Sequence, residues 1–131
     1  AYVSPFKERA AYSWAVETSI YVDENVKHKG VGRKLHEALE TVLKEQGILN
    51  MEACIGYPEE EDGYLDKNSA RFHAHMGYRM VGEFKKCGYK FDRWYNMVWM
   101  EHIIGEHQTH MAYPESFPQI RDRLKEKYGL E

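Results

Sequence analysis

Apolar and polar positions divide the chain into elements before any chemistry is considered. Residues 1–14 (AYVSPFKERAAYSW) mix aromatic, basic and proline residues, which predicts the end of a strand running into a loop. Val16–Val22 is rich in β-branched residues and predicts a strand, with Asp23-Glu24-Asn25 as the turn after it. Beyond Gly30, Val31, Leu35, Leu39, Val42 and Leu43 recur at helical spacing, and Gly47 stops that helix. Leu49, Met51, Ala53 and Ile55 then alternate with Asn50, Glu52 and Cys54, the signature of a second strand. The run Pro58-Glu59-Glu60-Glu61-Asp62-Gly63 reads as a solvated acidic loop.

Asn68 or Ser69 is expected to cap a short helix that carries Phe72 and Met76 on one face and ends at Gly77. Two strands follow, near Tyr78–Phe84 and Trp94–Ile103, with Lys85–Arg93 as a polar connection between them. Pro114–Glu131 predicts a last amphipathic helix through Ile120, Leu124 and Tyr128. The order is strand, helix, strand, helix, strand, strand. It predicts an α/β fold whose first crossover gives a parallel or mixed sheet and whose closing pair is antiparallel.

Composition narrows the class. A chain of 131 residues is one domain in size, and 43% hydrophobic with 30% charged residues is a globular balance. Aromatic residues reach 14%, enough for a packed core. A net charge of -3 argues against a general nucleic-acid binder or a polybasic membrane binder. No apolar run approaches the roughly 20 residues that span a bilayer, and no charged-then-apolar leader opens the chain. Cys54 and Cys87 carry no CxxC spacing, so a reduced, intracellular, cytoplasmic protein is expected. Neither cysteine has a neighbouring base in sequence, which argues against an acyl-cysteine enzyme. The seven histidines include His102, His107 and His110, and His73 with His75, but there is no HExxH and no cysteine partner. No metal site is predicted.

The segment richest in chemistry is Lys27-His28-Lys29-Gly30-Val31-Gly32-Arg33, between a strand and a helix. Two glycines let the backbone approach an anion closely, and the first helical turn offers unpaired N–H groups at the positive end of the helix dipole. Lys27, Lys29 and Arg33 add charge around it. The segment fits neither the GxxxxGK[ST] loop nor the three-glycine dinucleotide fingerprint. On pattern alone it is either a phosphate site or a helix start with solvated lysines.

The same residues resemble motif A of the GNAT acetyltransferase superfamily, [Gln/Arg]-x-x-Gly-x-[Gly/Ala], with Lys27 where Gln or Arg is usual. That departure keeps the charge but loses the forked geometry of arginine. Ala11–Val22 (AYSWAVETSIYV) is similar to the segment before motif A in the phosphinothricin N-acetyltransferase-like branch. Asn68–Tyr78 (NSARFHAHMGY) resembles that branch's motif B helix, and Gly88–Met97 (GYKFDRWYNM) its G-[FY]-K-F-G-R-W strand entry, with Asp92 replacing glycine. The resemblance covers about residues 1–101.

The resemblance implies a GNAT fold, with a mixed central sheet and flanking helices, and acetyl-CoA as co-substrate. Lys27, His28, Lys29, Gly30, Val31, Gly32 and Arg33 would then hold its pyrophosphate. The amides of Ile20, Tyr21 and Val22 would polarise the thioester carbonyl and pair with the pantetheine. Asp66, where the family usually has Asn, would lie with Asn68 and Ser69 along the pantetheine. Acetylating an amine requires a neutral nucleophile and a proton for the departing thiolate. Glu17 matches the family's general base, a role that a carboxylate with a pKa of about 4.3 fills only through burial or a water relay. Strand alternation alone equally allows an outward-facing carboxylate. His73 stands at the motif B position and, with a pKa of about 6.5, could protonate the sulfur or help deprotonate the amine. It could also be a surface helix histidine like His75.

Lys7, Arg9, Tyr12 and Trp14, with Lys90 and Trp94 as a second side, would suit an amino-acid-like amine that carries a carboxylate or phosphinate. Each is also readable as a solvated loop residue or a structural aromatic. Other acceptors stay open: a polyamine, an aminoglycoside or a protein N-terminus, the acidic loop 58–62 favouring a cationic one if it faces the cleft. So does an acyl-CoA-binding protein without turnover. The branch implies a homodimer, to which aromatic residues near Trp94–Trp99 would contribute. The family's domain also has elements ahead of Ala1, so residues 1–103 are expected to be its C-terminal portion and 104–131 a tail.

Overall fold

The computed structural model describes residues 2–19, 31–59 and 68–129. The predicted strand end at Val22, the turn 23–25 and most of the acidic loop lie outside these residues. The elements are β1 (Tyr2–Pro5), a 3-10 turn (Ala10–Tyr12), β2 (Ala15–Ser19), α1 (Val31–Gln46), β3 (Asn50–Tyr57), α2 (Asn68–His75), β4 (Arg79–Lys90), β5 (Arg93–Ile103) and α3 (Phe117–Tyr128). The strands form one mixed five-stranded sheet in the order β1-β2-β3-β5-β4, which is the expected α/β class. The residues group into two compact units, 1–51 with 103–131, and 52–102.

In the first unit, β1 and β2 pair antiparallel, with Val3 opposite Thr18, Ser4 opposite Glu17 and Pro5 opposite Val16. Val16 and Thr18 are buried while Glu17 between them is half-buried, the period of two that a strand imposes. On α1 the buried line runs through Gly32, His36 and Leu43. Leu35 lies 38% exposed, so the helix is rotated relative to the stripe its apolar residues predict. Ile120 and Leu124 of α3 are fully buried, and α3 packs against α1. The helix starts after Ser116, whose N–H donates to the Gln119 side chain at 2.6 Å, and ends at Gly129 in the left-handed region. Arg123 of α3 bonds Glu45 of α1 and Glu115, which lies just before α3. Burial alone would raise the Glu45 carboxyl, but the Arg123 hydrogen bond and the charges of Lys127 and Arg123 hold it below its usual value.

On β3, Met51, Glu52 and Ala53 are buried in succession, and from there burial alternates, with Ile55 buried between exposed Cys54 and Gly56. β3 lies at the centre of the sheet. β4 and β5 pair antiparallel as expected, but residues 85–90 are not the polar connection that their charge suggests. They are strand. β4 is an edge strand exposed at every position, so its lysines cost nothing there, and the connection shrinks to Phe91-Asp92. Both turn residues have positive φ, 54° and 57°, as a two-residue hairpin turn demands, and Asp tolerates that region better than most side chains. The register slips between Phe84 and Gly88. There Asn96, buried on β5, accepts the Lys86 N–H at 2.8 Å and donates to Glu83 at 2.7 Å. α2 already includes Asn68 and Ser69, so the helix begins at or before the residues expected to cap it.

Truncating Leu124 to Ala should cost about 2–5 kcal/mol, the range for a fully buried aliphatic side chain. Urea unfolding would show it as a lowered midpoint at unchanged m value.

Candidate active site

α1 begins at Val31, the residue after Gly30 in sequence. Its first turn carries no acidic residue, Gly32 is buried, and Arg33 is exposed with Glu37 at 3.8 Å. A helix start of this kind offers N–H groups and cationic charge to an anion and nothing that repels one. The residues present here therefore fit a phosphate-bearing group. Lys27, His28, Lys29 and Gly30, Ile20, Tyr21 and Val22, and Asp66 all lie outside the described residues.

Glu17 sits in the middle of β2, half-buried, opposite Ser4 of β1. On α2, Ala70 and His73 form the buried face and Ser69 and His75 the exposed one, so helical spacing separates the two histidines. His73 is 4% exposed. Its Nδ1 lies 2.7 Å from the Ser69 carbonyl, one turn back. A carbonyl only accepts, so Nδ1 carries the proton and Nε2 keeps its lone pair. That Nε2 is buried and has no hydrogen-bond partner among the described residues. Burial lowers the His73 pKa below 6.5, and the Ser69 bond, which acts the other way, does not cancel it. The ring is held edge-on by Tyr78 at 4.9 Å and Phe72 at 5.5 Å. Gly77 at φ 105° turns the chain out of α2, and Tyr78 N–H donates to the His73 carbonyl at 2.9 Å. A Cβ at Gly77 would meet the His102 ring at 3.0 Å, and at this φ any other side chain would be strained.

The arrangement is a neutral, oriented imidazole with one free lone pair. It can accept a proton at Nε2, and can hand one on only after it has accepted one.

Of the predicted acceptor residues, Arg9, Tyr12 and Trp14 come together around the 3-10 turn, where Tyr12 N–H donates to the Arg9 carbonyl at 3.0 Å. Tyr12 is 47% exposed. The Trp14 indole N–H is already donated to the Ala112 carbonyl at 3.0 Å, and its ring stacks on Tyr113 at 4.9 Å. Lys7 lies over the Phe6 ring. In the second unit, Lys90 and Trp94 flank the β4–β5 turn. Lys90 sits 5.0 Å over the Phe91 ring, and Trp94 is exposed beside Tyr89. Three residues with polar chemistry escape sequence reasoning: His36, Asn96 and Tyr113. Only His36 leaves a signal, lying four residues after Gly32 and seven before Leu43. Among the described residues no group of three or more His, Cys, Asp or Glu could hold a metal ion.

Residues 1–99 match the model of the acetyltransferase (GNAT) domain family. The chain is 34% identical over 98 residues to a phosphinothricin N-acetyltransferase of Streptomyces coelicolor, covering 75% of this chain and 53% of that protein. It is 33% identical over 86 residues to an L-methionine sulfoximine/L-methionine sulfone acetyltransferase of Pseudomonas aeruginosa, covering 66% of this chain and 46% of that one. Among solved structures it resembles a GNAT superfamily phosphinothricin acetyltransferase from Sinorhizobium meliloti in complex with AcCoA. That likeness has a TM-score of 0.72 at 28% identity and covers 88% of this chain and 59% of the other. The chain thus spans about half the length of the curated relatives it matches.

Because the folded state depresses the His73 pKa, it binds that proton less readily than the unfolded chain does. The stabilisation is therefore complete above pH 6.5 and is lost as pH falls below it, towards the folded-state value. Nitrogen-15 NMR should find the His73 ring protonated at Nδ1 and titrating below 6.5, and His73→Gln should reduce the loss of urea stability across that range.

Proposed function

The chain belongs to the GNAT acetyltransferase family and has its fold, and on that premise we propose that it moves an acetyl group from acetyl-CoA to an amine. The acceptor we infer is the primary amine of a small amino-acid-like molecule, attacked directly in a ternary complex. One observation carries the reading: the family match runs continuously through the helix start at Val31 and the buried His73. The names of the relatives support the acceptor class, since they act on phosphinothricin and methionine sulfoximine.

In this reading Gly32, Arg33 and the first turn of α1 receive the pyrophosphate, with Lys27–Gly30 completing the cradle, and Asp66, Asn68 and Ser69 lie along the pantetheine. The bound acetyl-CoA supplies the thioester, an acyl group already activated for attack. Ile20, Tyr21 and Val22 offer amides to the thioester carbonyl. Glu17 accepts the proton that the incoming ammonium must lose. His73 Nε2 accepts a proton as the amine becomes an amide, and passes it to the leaving sulfur. Arg9 pairs with the acceptor's anionic group between Tyr12 and Trp14, and Lys90 and Trp94 are further acceptor contacts in this reading. The reading also places the protein in the cytoplasm as a homodimer. Exposed Met80, Val81, Phe84 and Trp94 on the β4–β5 ribbon support an interface, and no helix among the described residues is long and apolar enough to cross a membrane.

The test is CoA release with a panel of amines. Turnover confined to small amino acids bearing a carboxylate or phosphinate is the expected result. Preference for a polyamine, an aminoglycoside or a peptide N-terminus would move the acceptor class, and acetyl-CoA binding without any turnover would replace the enzyme by a binding protein. Glu17→Gln should lower kcat about 10²-fold, the scale of one proton-transfer group, and leave the KM for acetyl-CoA unchanged.

A further inference from the structure

Residues 104–116 form neither helix nor strand, yet they are tied down at short intervals. Ile104 N–H donates to the Leu49 carbonyl at 2.8 Å. Gly105 then passes so close to Leu49 that a Cβ would lie 2.5 Å from its side chain. His107 Nε2 is 2.8 Å from Asn50 Oδ1. Ala112 and Tyr113 engage Trp14 by the hydrogen bond and the ring stack, with 22° between the ring planes. Glu115 and Gln46 exchange two bonds, Glu115 N–H to the Gln46 carbonyl at 2.8 Å and Gln46 Nε2 to the Glu115 carbonyl at 3.0 Å. α3 then locks the end of the segment onto α1.

This strap lies beyond the residues that the family match covers. If it only closed a core it would bury its aromatic residue, but Tyr113 is 66% exposed, and the contact it makes is with the Trp14 ring. Trp14 directly follows the turn that carries Arg9 and Tyr12, a turn pinned by the Ser13 N–H and hydroxyl, both donated to the Ala10 carbonyl. It also stands three residues before Glu17, about 10 Å along an extended strand. The strap therefore fixes the one aromatic residue that joins the basic turn to the carboxylate strand.

We propose that the 104–116 strap orders the acceptor side of the site, and that Tyr113 is a positioning residue which acts by holding the indole of Trp14, the residue that follows the turn bearing Arg9 and Tyr12. The ligand class served is a small amine with an anionic group. The proposal rests on the acetyl-transfer reading above, and its test separates the two.

In the full chain, acceptor and acetyl-CoA are each varied at saturation of the other for the parent, Tyr113→Ala and Tyr113→Phe. Because Tyr113 is exposed, neither change removes core. Tyr113→Ala is expected to raise the KM for the amine about three- to tenfold, the scale of one lost aromatic stack, with kcat and the KM for acetyl-CoA unchanged. Tyr113→Phe should restore the parent value. An unchanged amine KM in an active Tyr113→Ala enzyme overturns the proposal, as does an equal loss in kcat and both KM values. A parent chain that turns over no amine overturns the acetyl-transfer reading and the acceptor role together. The strap is judged separately by fluorescence in a Trp94→Phe/Trp99→Phe background, where Trp14 alone emits. A red shift on Tyr113→Ala supports the ordering of Trp14, and an unshifted spectrum refutes it.

Discussion

The backbone of Trp14 is the point on which the first unit depends. Its carbonyl accepts both the Leu49 N–H at 2.9 Å and the Asn50 N–H at 3.1 Å, where β3 begins. Leu49 in turn accepts the Ile104 N–H, so the entry to β2, the entry to β3 and the exit from β5 are tied at one place. Each bond contributes only about 0.5–1.5 kcal/mol net, but an unmade one leaves a half-buried polar group unsatisfied, which costs more. The side chain of the same residue holds the strap through Ala112 and Tyr113. Stretches more than ninety positions apart therefore converge where the strand carrying Glu17 starts.

The chemistry on β2 and α2 draws on two different physical devices. Glu17 is set on a strand whose alternate residues, Val16 and Thr18, are buried, so the sheet fixes its direction. His73 is set by a helix turn: the Ser69 carbonyl fixes its tautomer and burial keeps the ring neutral. A histidine oriented this way is a proton acceptor first. The choice between donor and acceptor that the bare sequence leaves open is thus narrowed by one carbonyl. His75, two positions on, has neither the bond nor the burial and stays a solvated residue.

Much of this was legible in the chain. Periodicity marks α1, α3 and the strand around Ala53, and the Gly77 stop is seen in the left-handed φ that only glycine adopts cheaply there. What the pattern hides has physical causes. Lys85 and Lys86 look like a loop because charge usually marks one, but an edge strand exposed on both faces admits charge at any position. Leu35 is exposed, against the expected stripe, and His36 is buried because a helix is oriented by all its neighbours and not by hydrophobicity alone. The Trp14–Tyr113 stack joins residues far apart in sequence and has no local signature. Of the motif residues, Glu17, Gly32, Arg33, Ser69 and His73 can be placed, while Lys27–Gly30 and Ile20–Val22 lie outside the described residues.

The most direct test of the central claim, that His73 acts as a neutral proton acceptor in acetyl transfer, is the pH dependence of kcat/KM for the parent and for His73→Gln. The parent should show an acidic limb with a midpoint below 6.5, set by burial of the ring, which should disappear together with much of the rate in the variant. A variant that keeps both the rate and the acidic limb would contradict it.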